Sequence, residues 1–181
     1  MTVQAIQADL LTALASCWPE PAPPEHEQPE CPPKRGPAPE TTVLVFGGNS
    51  AGVASGRLQR AVCEQFPDGF QAIHQQLKDL PDWDPNCWPQ DHQGELYVAQ
   101  TRAGPWLVSC VVFPRDACHE FEHTETSFRE ALALAVQLAD GGDVRVVSHA
   151  LGSFTGHPAP QRFAESMARG LEQFILDYYG T

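Results

Sequence analysis

Positive charge is what this sequence most lacks. Lysine and arginine number 11 against 23 aspartates and glutamates, giving a formal net charge of -12 over 181 residues. Such a chain repels a phosphate backbone, which argues against general DNA or RNA binding. The acidity itself reads as a device for solubility. It still admits a small phosphorylated ligand, because a loop of backbone N–H groups is locally positive whatever the global sum. Long apolar runs are absent too: nothing approaches the ~20 residues of a membrane-spanning helix. No basic patch followed by an apolar stretch opens the chain, so no secretory signal is visible. The expectation is a soluble cytoplasmic protein with no membrane partner. The six cysteines, Cys17, Cys31, Cys63, Cys87, Cys110 and Cys118, never form a Cys-x-x-Cys pair. They read as reduced and mostly structural, with Cys63 and Cys110 inside helix and strand patterns as small core residues. The Gly-Lys-Ser/Thr order of a nucleotide phosphate loop is also missing.

What is present centres on residues 43–56, Val-Leu-Val-Phe-Gly-Gly-Asn-Ser-Ala-Gly-Val-Ala-Ser-Gly. Four β-prone residues, 43–46, run into a glycine-rich loop, and a helical pattern follows with Leu58, Ala61, Val62 and Phe66 at i, i+3, i+4, i+8. Strand, glycine-rich turn and helix together aim backbone N–H groups and a helix N-terminus at an anion. Glycines lack Cβ and let the backbone approach a ligand closely. A second loop of this kind, residues 150–158 (Ala-Leu-Gly-Ser-Phe-Thr-Gly-His-Pro), follows another apolar strand. Two such loops suggest a nucleotide-like ligand held between them.

The rest of the chain supplies a frame. Residues 3–8 alternate loosely as a strand, and Asp9 precedes a short helical turn at 10–14 in a capping position. Nine prolines fall between Pro19 and Pro39. That stretch, residues 19–40, cannot form a packed helix or central strand. It reads as a PPII-like or disordered insertion, either a tolerated surface excursion or a docking site for a protein partner. Residues 69–78 carry Phe70, Ile73 and Leu77 on one helical face. Residues 79–92 read as an irregular loop, and 95–100 and 106–113 as strands joined by a hairpin-like turn at 102–105. Ser127 and Glu130 have capping-box spacing, which predicts a helix start there, with Phe128, Ala131, Leu132, Ala135 and Leu138 inward. Gly141 and Gly142 end that helix. Residues 143–148 form the next strand. The last helix covers about 160–178, with Phe163, Met167, Leu171, Phe174, Ile175 and Tyr178 as its core stripe. Alternating strands and helices with one hairpin predict an α/β fold, a three-layer α/β/α sandwich on a mixed sheet. The length favours one domain over 1–181. Ligands of such folds sit at the carboxyl ends of the strands, where both glycine loops emerge.

Three pieces in this order are Gln7-Ala8-Asp9-Leu10-Leu11, Val45-Phe46-Gly47-Gly48-Asn49-Ser50-Ala51-Gly52-Val53, and Ala150-Leu151-Gly152-Ser153-Phe154-Thr155-Gly156-His157-Pro158. Together they resemble the macrodomain family, the ADP-ribose-binding α/β/α module, over nearly the whole chain apart from the Pro-rich insertion. The resemblance implies that Asp9, followed by Leu10, accepts a hydrogen bond from the adenine amino group. It implies that Asn49 contacts the distal ribose, and that Gly48, Ser50, Gly52, Val53 and Gly56 line that ribose and the diphosphate. Gly152, Ser153, Phe154, Thr155 and Gly156 match the second loop, which wraps the diphosphate, with Phe154 against a ribose. Chemistry agrees: a diphosphate wants N–H donors, a carboxylate suits an adenine amine, and an amide can both donate to and accept from a diol. The implied partner is ADP-ribose or an ADP-ribosylated macromolecule, with no cofactor and no metal.

The departures bear on catalysis. Many hydrolytic macrodomains place an acidic residue in the first loop, near where Ala54 or Ser55 stands here. Another subgroup uses a lysine nucleophile after the loop, where Arg57 and Arg60 stand, and arginine stays protonated at neutral pH. Phe46 replaces the first asparagine of the family pair. Asn49 is the remaining, weak catalytic candidate. Three functions stay open: a binding module for ADP-ribosyl groups, an ADP-ribosyl hydrolase, and a protein-interaction scaffold that has lost the ligand. Bland readings stand beside each residue. Asp9 also reads as a helix cap, Asn49 as tolerance of a left-handed turn, the glycines as tight turning and Phe154 as core. His119 and His123, near Cys118 and several glutamates, suit either a metal or an exposed loop before the helix cap. His157 is either a titrating neighbour of a phosphate or a solvent-facing residue. Trp83, Trp88 and Trp106 either stack on a base or pack loops onto the core.

Overall fold

The computed structural model describes residues 40–49, 51–54, 56–84, 92, 94–102, 104–113, 121–149, 151 and 161–180. The stretches at 3–14 and 19–39 therefore lie outside the described residues, as does Trp88. Eight elements follow in order: β1 (Thr41–Asn49), α1 (Arg57–Gln65), α2 (Pro67–Lys78), β2 (Leu96–Gln100), β3 (Trp106–Phe113), α3 (Phe121–Leu138), β4 (Val144–Ser148) and α4 (Gln161–Tyr179). The strands lie in the order β2-β3-β1-β4. β1 runs parallel to both β3 and β4, and β2 is antiparallel to β3. The sheet is mixed, as the alternation with a single hairpin predicts.

β1 is buried from Val43 to Asn49, and it feeds both faces of the sheet. Leu44 and Phe46 join Val62 of α1, Ile73 and Leu77 of α2, and Phe66 between those helices. Val43 and Val45 join Phe128, Ala131, Leu132 and Ala135 of α3, Phe174 of α4 and Leu151. A strand covered on both faces carries an unbroken apolar run because successive side chains point to opposite sides. These two cores make the three layers: α1 and α2, the sheet, then α3 and α4. The joint between α1 and α2 is Phe66, fully buried, after which Pro67 opens α2. Proline suits a first helical position because its missing N–H would have had no helical partner there.

Two expectations change. α3 begins at Phe121, not at Ser127. Ser127 is buried inside the helix, and its hydroxyl donates to the Gly94 carbonyl at 3.1 Å. It is therefore a tertiary anchor and no cap, and His123 is a helical residue, not part of a loop. In α4 the buried residues are Phe163, Ser166, Gly170 and Phe174, while Ile175 and Tyr178 are exposed. The cause is α3: a Cβ on Gly170 would stand 2.6 Å from the Glu125 carbonyl oxygen. Small residues at 166 and 170 let the helices close up and turn the inward face away from Ile175. Trp83, in the loop after α2, packs against the first core, and Trp106, the first residue of β3, against the second. No helix among the described residues is long and apolar enough to cross a membrane.

Candidate functional site

The site is built where β1 ends. The chain leaves β1 toward α1 on one face, whereas the chains leaving β3 and β4 lead to α3 and α4 on the other. Adjacent parallel strands whose exits diverge leave a crevice at their carboxyl ends. β4 also stops early, pairing as far as Val45↔Ser148, while β1 continues to Asn49. The main-chain groups of Gly47 lie beyond that last pair and meet side chains. The Gly47 N–H donates to His149 Nε2 at 3.2 Å, and its carbonyl accepts from Gln59 Nε2 at 2.8 Å. Buried peptide groups need such partners, so His149 and Gln59 stand in for the strand that β4 does not supply.

Register slips at the next step. Gly48 opposes Val111, but Asn49 opposes Phe113. A bulge of this kind re-aims the residue that follows it. By simple alternation Asn49 would share a face with Val45; instead its side chain meets α1. Asn49 is 2% exposed. Its Nδ2 donates to the Val53 carbonyl at 2.9 Å and to Gln59 Oε1 at 3.4 Å. Its Oδ1 accepts from the Val53 N–H at 3.2 Å. One side-chain amide thus holds both main-chain groups of Val53, and Gly52 N–H closes a turn on the Asn49 carbonyl at 3.0 Å. The loop packs Ala51 inward and leaves Val53 40% exposed.

The left-handed conformation in this turn falls on Gly52 (φ 67°) and not on Asn49. Gly52 is also pinned from outside: His74 Nδ1 of α2 donates to its carbonyl at 2.8 Å. Gly48 is favoured by crowding, since a Cβ there would stand 2.1 Å from Ser109 Oγ. Gly56 differs, because a Cβ added to it meets nothing within 4 Å. Beneath the loop lies a hollow of about 10 Å³ bordered by Asn49, Gln59, Ser109 and Phe70. That is room for one water at most, so the hollow is not a nucleotide site. Phe46, at a position where the resemblance implies an asparagine, is 1% exposed and stacks on Phe70 with ring centroids 6.3 Å apart. It serves the core.

Of the residues singled out in the sequence, the fold brings Gly48, Asn49, Gly52, Val53 and Gly56 together at the end of β1. Asp9, Leu10, Ser50, Gly152, Ser153, Phe154, Thr155 and Gly156 lie outside the described residues, as do Ser55 and His157. The second loop is anchored at its start: Leu151 is fully buried, and its N–H donates to Met167 Sδ at 3.1 Å. β4 and β1 run side by side and parallel, so the two loops leave the same end of the sheet. Arg57 and Arg60, in the first turn of α1, are exposed. Three residues escape the sequence reading: Gln59, His74 and His149. Two left a trace. Gln59 stands three residues after Gly56, at the spacing of a capping box; His74 falls within the apolar stripe Phe70, Ile73, Leu77.

Two further orders of residues are weighed by the fold. Gly48-Asn49-Ser50-Ala51-Gly52 spells the Gly-x-Ser-x-Gly of a nucleophile elbow, but an elbow feeds its helix directly. Here α1 starts only at Arg57, and the intervening turn is bonded back to Asn49. His119-Glu120-Phe121-Glu122-His123 spells His-Glu-x-x-His, a zinc motif when helical. α3 carries His123, while His119, Glu120 and Cys118 lie outside the described residues. Among the described residues no three His, Cys, Asp or Glu side chains gather as a metal site.

No family model and no curated protein sequence matches the chain. Solved structures do. The macrodomain of Mycobacterium tuberculosis DarG superposes with a TM-score of 0.55 at 17% identity, covering 74% of this chain and 83% of that one. A macrodomain protein from Streptomyces coelicolor matches at 16% identity and TM-score 0.48, over 81% of this chain and 83% of that one. The macrodomain of Thermus aquaticus DarG matches at 14% identity and TM-score 0.49, over 72% and 81%. The likeness to the Mycobacterium tuberculosis structure is one of fold: this chain has a macrodomain fold.

Proposed function

We propose that this protein binds ADP-ribose, or ADP-ribosyl groups carried on modified macromolecules, through one macrodomain-like domain. The observation that carries the reading is the pre-built loop at the end of β1. In a macrodomain fold, Asn49, Gln59, His74 and His149 hold its backbone by hydrogen bonds. A loop ordered before the ligand arrives loses less entropy on binding. In this reading Asp9, with Leu10 beside it, takes the adenine amino group. Gly48, Ser50, Gly52, Val53 and Gly56 line the distal ribose and diphosphate, and Gly152, Ser153, Phe154, Thr155 and Gly156 close over the diphosphate. Asn49 acts as the frame of the first loop, since both N–H groups of its amide are engaged within the protein. Residues 50–56 contain no carboxylate, which favours binding over hydrolysis.

Titration calorimetry with ADP-ribose, with AMP as control, tests this. Micromolar binding, about -8 kcal/mol, is expected for ADP-ribose, with much weaker binding for AMP. Gly56→Ser separates ligand from fold, because its side chain enters open space. The thermal midpoint should stay, and affinity should fall by about tenfold as the hydroxymethyl group crowds the diphosphate. Absence of heat with the wild-type protein refutes the reading and turns attention to a protein partner of residues 19–40. Release of ADP-ribose from a modified protein would reassign it as a hydrolase.

A further inference from the structure

We infer that Gln59 is a positioning residue of this site, helping to hold the strand-end loop in shape without meeting the ligand. It sits at the third position of α1 and is 6% exposed. A glutamine on a helix ordinarily faces water; this one reaches three groups from both ends of the loop. Its Nε2 donates to the Gly47 carbonyl at 2.8 Å. Its Oε1 accepts from the Gly56 N–H at 3.3 Å and from Asn49 Nδ2 at 3.4 Å. Gly47 precedes the loop, Gly56 ends it, and Asn49 is the residue that ties down Val53. A capping box asks a glutamine only to satisfy the N-cap N–H. Gly56, the N-cap, has no side chain to return the bond, and the glutamine joins strand, loop and helix.

The bonds dictate which substitutes work. Leucine fills the volume and makes none of them. Glutamate can accept from Gly56 and Asn49, but an ionised carboxylate has no proton to give the Gly47 carbonyl. Protonated glutamic acid can give one, and burial raises a carboxyl's pKa. Gln59→Glu should therefore regain function as pH falls, a behaviour that a merely space-filling side chain would not show.

The ligand arm of the test rests on the ADP-ribose reading; the exchange arm does not. Amide hydrogen exchange over residues 47–56 and ADP-ribose affinity are measured from pH 5 to 8 for wild type, Gln59→Leu and Gln59→Glu. Each variant is referred to wild type at the same pH, so that effects of pH common to all three proteins cancel. Gln59→Leu should speed exchange at Gly52, Val53 and Gly56 and weaken ADP-ribose by about tenfold, evenly across pH. Gln59→Glu should match it at pH 8 and approach wild type at pH 5. If wild type takes no ADP-ribose, the ligand reading falls and the exchange profile alone decides. If Gln59→Leu fails to fold, the pH profile of Gln59→Glu decides. Gln59→Glu indifferent to pH, or exchange in Gln59→Leu unchanged from wild type, overturns the inference.

Discussion

A methyl group on Gly48 would stand 2.1 Å from Ser109 Oγ, 3.5 Å from Ser109 Cβ and 3.6 Å from the Cys110 carbonyl oxygen. Only the first is a clash; the others are ordinary contacts. Gly48 lies in β1 without a positive φ, so alanine is allowed there by the backbone and the hydroxyl of Ser109 is the whole obstacle. Ser109 is 3% exposed, and its oxygen must rotate toward the small hollow beside it. Overpacking of this kind costs about 1–3 kcal/mol. Replacing glycine by alanine in a permitted conformation returns about 0.4–1 kcal/mol through the unfolded chain. Gly48→Ala should therefore destabilise by roughly 0–2.6 kcal/mol, the difference of those two ranges. In Gly48→Ala/Ser109→Ala the oxygen is gone and the two methyl groups sit in ordinary contact. The pair should then couple by about 1–3 kcal/mol in the stabilising direction. Urea unfolding followed by tryptophan fluorescence reads this, and each kcal/mol moves the thermal midpoint by roughly 2–4 °C in a chain of this size. Additive single and double variants, within about 0.5 kcal/mol, would refute the packing of β1 against β3 described above.

Two other expectations concern titration and reactivity. His92 lies between Asp82 and Glu95, each at 2.9 Å, and the bond to Asp82, aided by Glu95, raises its pKa, while His92 lowers that of Asp82. The histidine's contribution is full below its ordinary 6.5 and disappears as pH rises through the raised value; that of Asp82 is present above its ordinary 3.8 and is lost as pH falls through the lowered one. The gap in thermal midpoint between wild type and His92→Asn should accordingly be widest near pH 5–6 and shrink as pH rises through the raised histidine value, and a gap constant across pH would count against this clamp. Burial pushes the Cys110 thiol up, so it should resist alkylation until the protein unfolds while the half-buried Cys63 reacts sooner. Peptide mapping that finds both labelled at equal rates in the native protein would contradict the burial.

Local chemistry makes much of this fold legible. The run 43–46, the stripe Phe70, Ile73, Leu77 and the strands flanking the turn at 102–105 announce themselves through residues close in sequence, and Asn49 stands out as the one polar amide at the strand's end. Local signals mislead where a distant partner takes over. Ser127 and Glu130 have the spacing of a cap, yet Ser127 bonds the carbonyl of Gly94, 33 residues away. The inward face of α4 is chosen by α3, against which Gly170 closes.

The site divides the same way. The sequence by itself determined that a strand ends in a glycine-rich loop bearing an asparagine, because periodicity and glycine content are properties of neighbours. Only the tertiary structure decided what holds that loop. The bonds from Gln59 to Gly47, His74 to Gly52 and Gly47 to His149 span 12, 22 and 102 residues. They exist because β1 lies between β3 and β4 and outruns β4, leaving peptide groups that must find partners in side chains from other elements. No pattern along the chain encodes that need; it arises when the strands are laid side by side.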